Sequence, residues 1–385
     1  MSWNKIIGLE REKAILQKSI LKNRIHNSYL FYGMNGIGKR AVAYEFAKAL
    51  NCLNPIIDEK NNKYEACDEC LSCKQMSNLT HQNLHLIFSY PTGKGTDSKS
   101  DNPLAKLTDA QVEEIQNQML LFAQNPYYNI NITGANTIKI DQIREVKKKV
   151  NYSSTSHGKN VIIIMNAEEM TNEAANAFLK TLEEPSENTV IILTTSRKEL
   201  LLQTILSRTQ QLFFAQLSNE EIKQGLIKFY NCKEETANLI SILANGSFSK
   251  ALEQASTEFI DVRSKFVDIF RTVLKKKNYR IEFLEKIDEL IKTTDTKGLT
   301  NGLTLFEMWL RDAYSFSLFK NKLIIVNLDQ LDIIEKFTAN FNNFDYLYTF
   351  DILEKSINLI KKSVNIQLIL VNLFLGIRQK VYKFF

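Results

Sequence analysis

The sequence predicts an α/β base built on a parallel sheet, followed by a remainder that is all helix. Three observations predict it. A glycine-punctuated loop, Gly33-Met34-Asn35-Gly36-Ile37-Gly38-Lys39, follows the apolar run Ser28–Tyr32 and precedes an alanine-rich amphipathic stretch, Arg40–Leu50. Short β-branched runs then alternate with helical patterns up to residue 217. From Ser218 onward the strand signals stop, and long patterns rich in Ile, Leu, Phe and Lys take over.

Strands are expected at Ser28–Tyr32, Leu84–Tyr90, Thr137–Ile140, Val161–Met165, Val190–Thr194 and Gln211–Phe214. Helices are expected near Asp109–Gln124, at Asp141–Val150 with Asp141 as N-cap, and at Thr171–Glu184, capped by Thr171 and ended by Pro185. The polar stretch Pro91–Asn136 reads as an insertion carrying the first of these helices. Ser218-Asn219-Glu220-Glu221 resembles a capping box, and Gly246 breaks the short helical segment that it opens. A chain of 385 residues is too long for one core. The expected division is a base domain at 1–217 with a cysteine module at 52–73, a small helical lid at 218–256 and a helical collar at 257–385.

A net charge of +6 permits contact with nucleic acid without implying it. The N-terminus Met1-Ser2-Trp3-Asn4-Lys5 lacks the apolar core of a secretory signal. Ile366–Ile377, the most apolar stretch, is interrupted by Gln367 and Asn372 and reads as a buried helix rather than a membrane span. These features predict a cytoplasmic protein, without membrane contact, whose cysteines are reduced.

The glycine loop fits GxxxxGK[ST] up to its last position. Backbone N–H groups of Gly33, Gly36 and Gly38 and the following helix N-terminus suit phosphate oxygens, and Lys39 adds a point charge. Arg40 stands where a hydroxyl would ligate magnesium, and a guanidinium cannot do so. The apolar run Val161–Met165 is the kind that ends in Asp-Glu in P-loop ATPases, yet here Asn166 and Ala167 follow. Glu168 and Glu169 come later, and a two-residue step displaces a carboxylate by ~7 Å. The cradle is therefore expected to survive without hydrolysis. Lys39 and Arg40 could still hold a passive ATP, or the loop could be empty.

Four of the five cysteines lie within 22 residues: Cys52, then Cys67, Cys70 and Cys73 in a C-x2-C-x2-C run. Two-residue spacings let thiolates converge on one tetrahedral ion, so the cluster reads as structural Zn²⁺ with no open coordination position. Iron–sulfur is the alternative, disfavoured by the missing Cys-Pro context. His81 and His85 are near but redundant, and Cys232 reads as a small buried apolar residue.

Gly33–Lys39, the cysteine run, Leu179-Lys180-Thr181-Leu182-Glu183-Glu184-Pro185, Thr194-Thr195-Ser196 and Ser207-Arg208-Thr209 together resemble the bacterial clamp-loader subunits of the AAA+ class. The resemblance is strong over about residues 1–256. The departures at Arg40, at Asn166-Ala167 and at Ser249, where the motor subunits carry arginine, favour the delta-prime branch of DNA polymerase III over the gamma/tau ATPase. The resemblance implies gamma/tau and delta subunits as partners, with the sliding clamp and primer-template DNA reached through the complex. It also implies that Arg208 reaches a neighbouring subunit's ATP, that Thr195 is a relic of a γ-phosphate sensor, and that Arg144, Lys147, Lys148 and Lys149 face the DNA backbone. The alternatives are an ordinary surface arginine, a solvated helix face, and an active gamma/tau-like ATPase.

Overall fold

The computed structural model describes residues 3–92, 103–152, 158–184, 188–255, 257–362 and 365–382. The chain divides into two compact units, Met1–Asn231 with Ser241–Ala251, and Cys232–Ile240 with Leu252–Phe385.

The first unit opens with α1 (Glu10–Leu21), β1 (Ser28–Tyr32), α2 (Lys39–Asn51), a hairpin of β2 (Ile56–Asp58) and β3 (Lys63–Glu65), and α3 (Leu71–Ser77). It continues with β4 (Leu84–Ile87), β5 (Tyr90–Pro91), α4 (Asp109–Gln124), β6 (Ala135–Thr137) and α5 (Ile140–Tyr152). Then come β7 (Asn160–Ile164), α6 (Asn172–Glu183), β8 (Thr189–Thr195), α7 (Gln203–Leu206), β9 (Gln210–Phe213) and α8 (Asn219–Tyr230). Five strands form one parallel sheet in the order β4-β7-β8-β1-β9. Every residue of β7 and β8 is buried, as expected of inner strands covered on both faces. On one face Leu30, Ile162, Ile164, Ile191 and Leu193 pack with Ile143, Phe178 and Leu182 of α5 and α6. On the other, Tyr29 meets Phe46 of α2 edge-on at 5.6 Å, and Phe31 meets Phe214 at 5.0 Å. The loops after β1, β7 and β8 therefore gather at the carboxyl edge of the sheet, where α/β proteins build their sites.

Several expectations change in detail. The expected strand Leu84–Tyr90 splits: Leu84–Ile87 joins the main sheet, whereas Tyr90 and Pro91 pair with β6 in a separate ribbon. Thr137–Ile140 is not a strand of the main sheet; Ile138 makes only a parallel bridge to Met170. Asp141 is not an N-cap but lies in the first turn of α5, where its carboxylate takes Lys106 at 2.5 Å. Thr171 does cap α6, accepting the Ala174 N–H at 3.2 Å. Pro185 lies outside the described residues. Ser218 and Glu221 form the expected capping box at the start of α8.

After α9 (Glu234–Leu243) and α10 (Phe248–Gln254), the chain continues as α11 (Thr257–Val273), α12 (Arg280–Thr293), α13 (Thr296–Phe319), α14 (Leu331–Asn340), α15 (Tyr346–Lys361) and α16 (Ile366–Tyr382). Its core is aromatic: Phe270 contacts Phe306 at 5.2 Å and Phe337 at 5.3 Å, and Trp309 stacks on Phe306 at 6.3 Å. Gly302 lets α13 approach α11 closely, since a Cβ there would stand 2.5 Å from the Phe266 ring. The guanidinium tip of Arg263, almost wholly buried, is held by Asn327 at 2.8 Å and by Asp329, and the Asp312 carboxylate accepts the Asn327 N–H at 2.7 Å. In α16, Ile369, Leu370, Leu373, Phe374 and Ile377 are buried. Among the described residues no helix is long and apolar enough to cross a membrane. Cys232 is half-buried rather than part of the core.

Candidate functional site

The glycine loop follows β1 and opens α2. Gly33, Gly36 and Gly38 have φ of +150°, +78° and +108°, conformations that side chains with a Cβ rarely adopt. The Gly33 N–H donates to the Thr195 carbonyl at 3.3 Å, tying the loop to the end of β8. Lys39 turns back into the loop and donates to the Gly33 and Met34 carbonyls at 2.7 and 2.6 Å. Burial, and then the adjacent Arg40, lower its pKa to about 8.

Arg40 occupies the place from which a hydroxyl would reach magnesium, and it faces the end of β7. Its Nη2 donates to Asn166 Oδ1 at 2.7 Å, and its Nη1 to Asn129 Oδ1 at 3.4 Å. The Asn166 amide in turn donates to Glu169 Oε1 at 2.8 Å, and the other Glu169 oxygen accepts the Ser89 hydroxyl. Glu168 accepts the Ser196 N–H and hydroxyl at 3.1 and 2.9 Å. Burial pushes Glu168 up, but its own backbone amide, Thr195 and Ser196 together outweigh burial and hold it below the usual carboxylate range. Both acids that follow Ala167 are thus engaged in protein contacts.

The cradle is filled by its own chain. Ser249 N–H donates to the Gly36 carbonyl at 3.0 Å, and Ser249 Oγ donates to the Tyr127 carbonyl at 2.6 Å. Tyr127 packs on Phe248 at 4.8 Å, and its hydroxyl accepts the Ile7 N–H at 2.8 Å. A Cβ at Gly36 would overlap Ser247 Oγ and stand 2.9 Å from Ser249 Cβ; one at Gly38 would stand 3.1 Å from the Tyr127 ring. What remains between Lys39, Arg40, Tyr127, Asn166 and Ser249 is a cavity of about 20 Å³. That is room for about one water. A nucleoside triphosphate does not fit in this conformation. Thr195 is buried, its hydroxyl accepting the Arg197 N–H at 3.0 Å; Thr194 and Ser196, on the opposite side of the pleat, line the cavity instead. The sequence marks Ser249 only as a departure from the motor-subunit arginine and gives no sign of Tyr127 or Ser247, which lie far along the chain from the glycine loop.

The four cysteines come together. Cys52 is the C-cap of α2, while Cys70 is the N-cap of α3 and its sulfur accepts the Cys73 N–H at 3.4 Å. All four Sγ atoms lie within 4.8 Å of one another, with Cys52–Cys67 at 3.5 Å and Cys67–Cys73 at 3.9 Å. Bonds of ~2.3 Å to a tetrahedral ion require sulfurs ~3.8 Å apart, so the donor set fits zinc. The cluster can hold such a metal with protein ligands alone. Backbone donors support it: Cys67 N–H points to Cys52 Sγ at 3.3 Å and Cys70 N–H to Cys67 Sγ at 3.4 Å. Burial raises Cys70, but the donors around its sulfur prevail and bring the thiol down to about 6. His81 is committed elsewhere, to the Ser72 hydroxyl at 3.0 Å and the Asn83 N–H at 3.1 Å. His85 lies on β4, outside the cluster. Beside the knuckle, buried Lys48 of α2 pairs with buried Glu45 at 2.9 Å and with Asp68.

Arg208 follows α7 and is partly exposed. Its Nη2 meets Glu183 Oε1, at the end of α6, at 2.7 Å, and its Nη1 donates to the Thr204 carbonyl at 3.0 Å. On α5, Arg144 and Lys148 are exposed and Lys147 is half-buried, while the side chain of Lys149 lies outside the described residues.

A family model for "DNA polymerase III, delta subunit" matches residues 8–218. DNA polymerase III subunit delta' of Bacillus subtilis is 27% identical over 340 residues, covering 86% of this chain and 85% of that protein. Subunit tau of the same organism is 27% identical over 252 residues, covering 64% of this chain and 36% of that protein. A solved gamma-subunit-related protein of Thermotoga maritima superposes with a TM-score of 0.44 at 18% identity, over 96% of this chain and 99% of that one. The family model spans more than half of the sequence, and the chain belongs to the DNA polymerase III delta-subunit family, on its delta-prime side and related to gamma/tau.

Proposed function

We propose that this chain is a non-hydrolysing subunit of the DNA polymerase III clamp loader and supplies Arg208 to the ATP site of a neighbouring gamma/tau subunit. The observation that carries the reading is the filled cradle. A loop of phosphate-binding shape is closed by Tyr127 and Ser249, with Arg40 and Asn166 where metal handling would need a hydroxyl and a carboxylate. A site of that kind neither holds ATP nor turns it over. What the fold still offers to a neighbour is a fixed cation at its surface.

Arg208 suits that task. Its tie to Glu183 is a partly exposed ion pair, which is worth ~0–1 kcal/mol and gives way to a phosphate at little cost. A guanidinium placed against the charge developing on a transferring phosphoryl group accelerates the reaction ~10³–10⁵-fold. In this reading zinc at Cys52, Cys67, Cys70 and Cys73 is structural. Residues 1–217, 218–256 and 257–385 act as base, lid and collar. Delta, the sliding clamp and primer-template DNA are met within the complex, and Arg144, Lys147 and Lys148 touch phosphates of the DNA.

The test is reconstitution with gamma/tau and delta subunits. Arg208→Ala should leave the complex assembled and slow hydrolysis at the adjoining motor site by ~10³-fold. Unchanged hydrolysis by that complex would refute the finger. Robust turnover by the isolated chain with ATP, magnesium and primed DNA would instead favour a working ATPase.

A further inference from the structure

The helical unit contains a cavity that the finger reading does not use. It has a volume of about 370 Å³, within the range of sites that hold small organic ligands. Exposed Arg271, Lys275 and Lys336 surround it, supplied by α11, the turn after it and α14. Trp309, Phe337 and Phe341 line it with aromatic surface. No carboxylate is among the lining residues. Lys275 is paired with Glu282 at 2.6 Å, whereas Arg271 and Lys336 make no ion pair among the described residues. Trp309 is wholly buried, and its indole N–H has no acceptor in the protein. An unmatched buried donor costs about 1–3 kcal/mol.

We infer that this cavity binds one nucleotide of a single-stranded nucleic acid, with phosphate on Arg271 and Lys336 and the base against the aromatic lining. Cations that track a backbone, combined with aromatic faces for the bases, are what single-strand sites are made of. The cationic rim continues into exposed Lys276 and Lys277. That continuation suits a strand carrying a charge at every residue better than a lone carboxylate. Aromatic contact accepts any base, so the site reads presence of a strand rather than its sequence.

The chain carries its own reporter. It has two tryptophans, and in the full-length Trp3→Phe protein Trp309 would be the sole one. Titration with a short oligodeoxythymidylate should quench or shift Trp309 emission. Should Trp3→Phe fold poorly, anisotropy of the same labelled oligonucleotide with unsubstituted protein gives the affinity. The logarithm of that affinity should fall with the logarithm of salt at a slope of about −1.4, from two phosphate-facing cations at ~0.7 each. Arg271→Ala with Lys336→Ala should weaken binding at least tenfold, and Phe341→Ala by about tenfold, whereas Lys355→Ala, on α15 and outside the cavity, should not. Binding seen by anisotropy with silent Trp309 emission, or unaffected by the double substitution, would overturn the assignment. So would equal competition by inorganic phosphate or by an acidic peptide, which would mark a bare anion site or a protein-docking site.

Discussion

Lys48 offers the sharpest test of how the first unit is held together. Its ammonium is wholly buried, 2.9 Å from the equally buried Glu45, and it also meets Asp68 in the cysteine knuckle. Removing it in Lys48→Met preserves apolar bulk but strands Glu45 inside the fold. Breaking a buried pair from one side costs about 3–5 kcal/mol, whereas loss of the half-exposed Asp68 contact adds ~0–1 kcal/mol. Glu45 has one escape, a proton. Burial already pushes its pKa up from 4.5 to about 7, despite the opposing pull of Lys48. A carboxyl raised in the folded state contributes its stability below the unfolded value and loses it as pH climbs through the folded one. Without Lys48 the folded value rises further, so the penalty should widen with pH. We expect a loss of about 3–5 kcal/mol at pH 8 and about 1 kcal/mol at pH 5, where Glu45 is protonated. Urea unfolding of the zinc-loaded chain, followed by far-ultraviolet circular dichroism at both pH values, measures the difference. A loss that is the same at pH 5 and pH 8 would refute the reasoning. Glu45→Leu added to Lys48→Met should recover most of it, because an apolar pair replaces a buried ionic one at little cost.

Three further outcomes follow from the geometry. Metal analysis should find about one zinc per chain, with Cys73→Ser reducing it sharply; a full complement in that variant would remove Cys73 from the ligand set. Restoring the missing groups with Arg40→Thr, Asn166→Asp and Ala167→Glu should not restore ATP binding in equilibrium dialysis, because Tyr127 and Ser249 still occupy the cradle; binding with ordinary affinity would show that the closure yields. Gly36→Ala should destabilise the fold by about 1–3 kcal/mol in thermal unfolding, since its φ is +78° and its Cβ would overlap Ser247.

Elements with local punctuation were legible. Ser28–Tyr32 is an apolar run stopped by Gly33, and Asp109–Gln124 begins after Thr108 in a reciprocal cap with Gln111; both have the bounds that the sequence predicts. The hairpin Ile56–Glu65 escaped because its strands have three residues each and leave Ile56 and Ile57 exposed, so they carry no alternation. Leu84–Tyr90 looked continuous because an apolar run does not reveal where pairing changes partner. The cysteine knuckle was readable because its ligands are close in sequence. The closure of the cradle was not, since Tyr127 and Ser249 are 122 positions apart, Tyr127 belongs to no motif, and Ser249 stood out only for the arginine it replaces. Nor could spacing show that Thr194 and Ser196, rather than Thr195, face the cavity; that depends on which side of the pleat β8 turns inward.

The self-closed loop has a consequence for how such a chain behaves in company. In the function proposed above, swings in cellular ATP and ADP would give it nothing to grip, and its shape would not follow the energy charge of the cell. In an assembly whose other members change with each round of hydrolysis, it would serve as the unmoving post against which their displacements are measured.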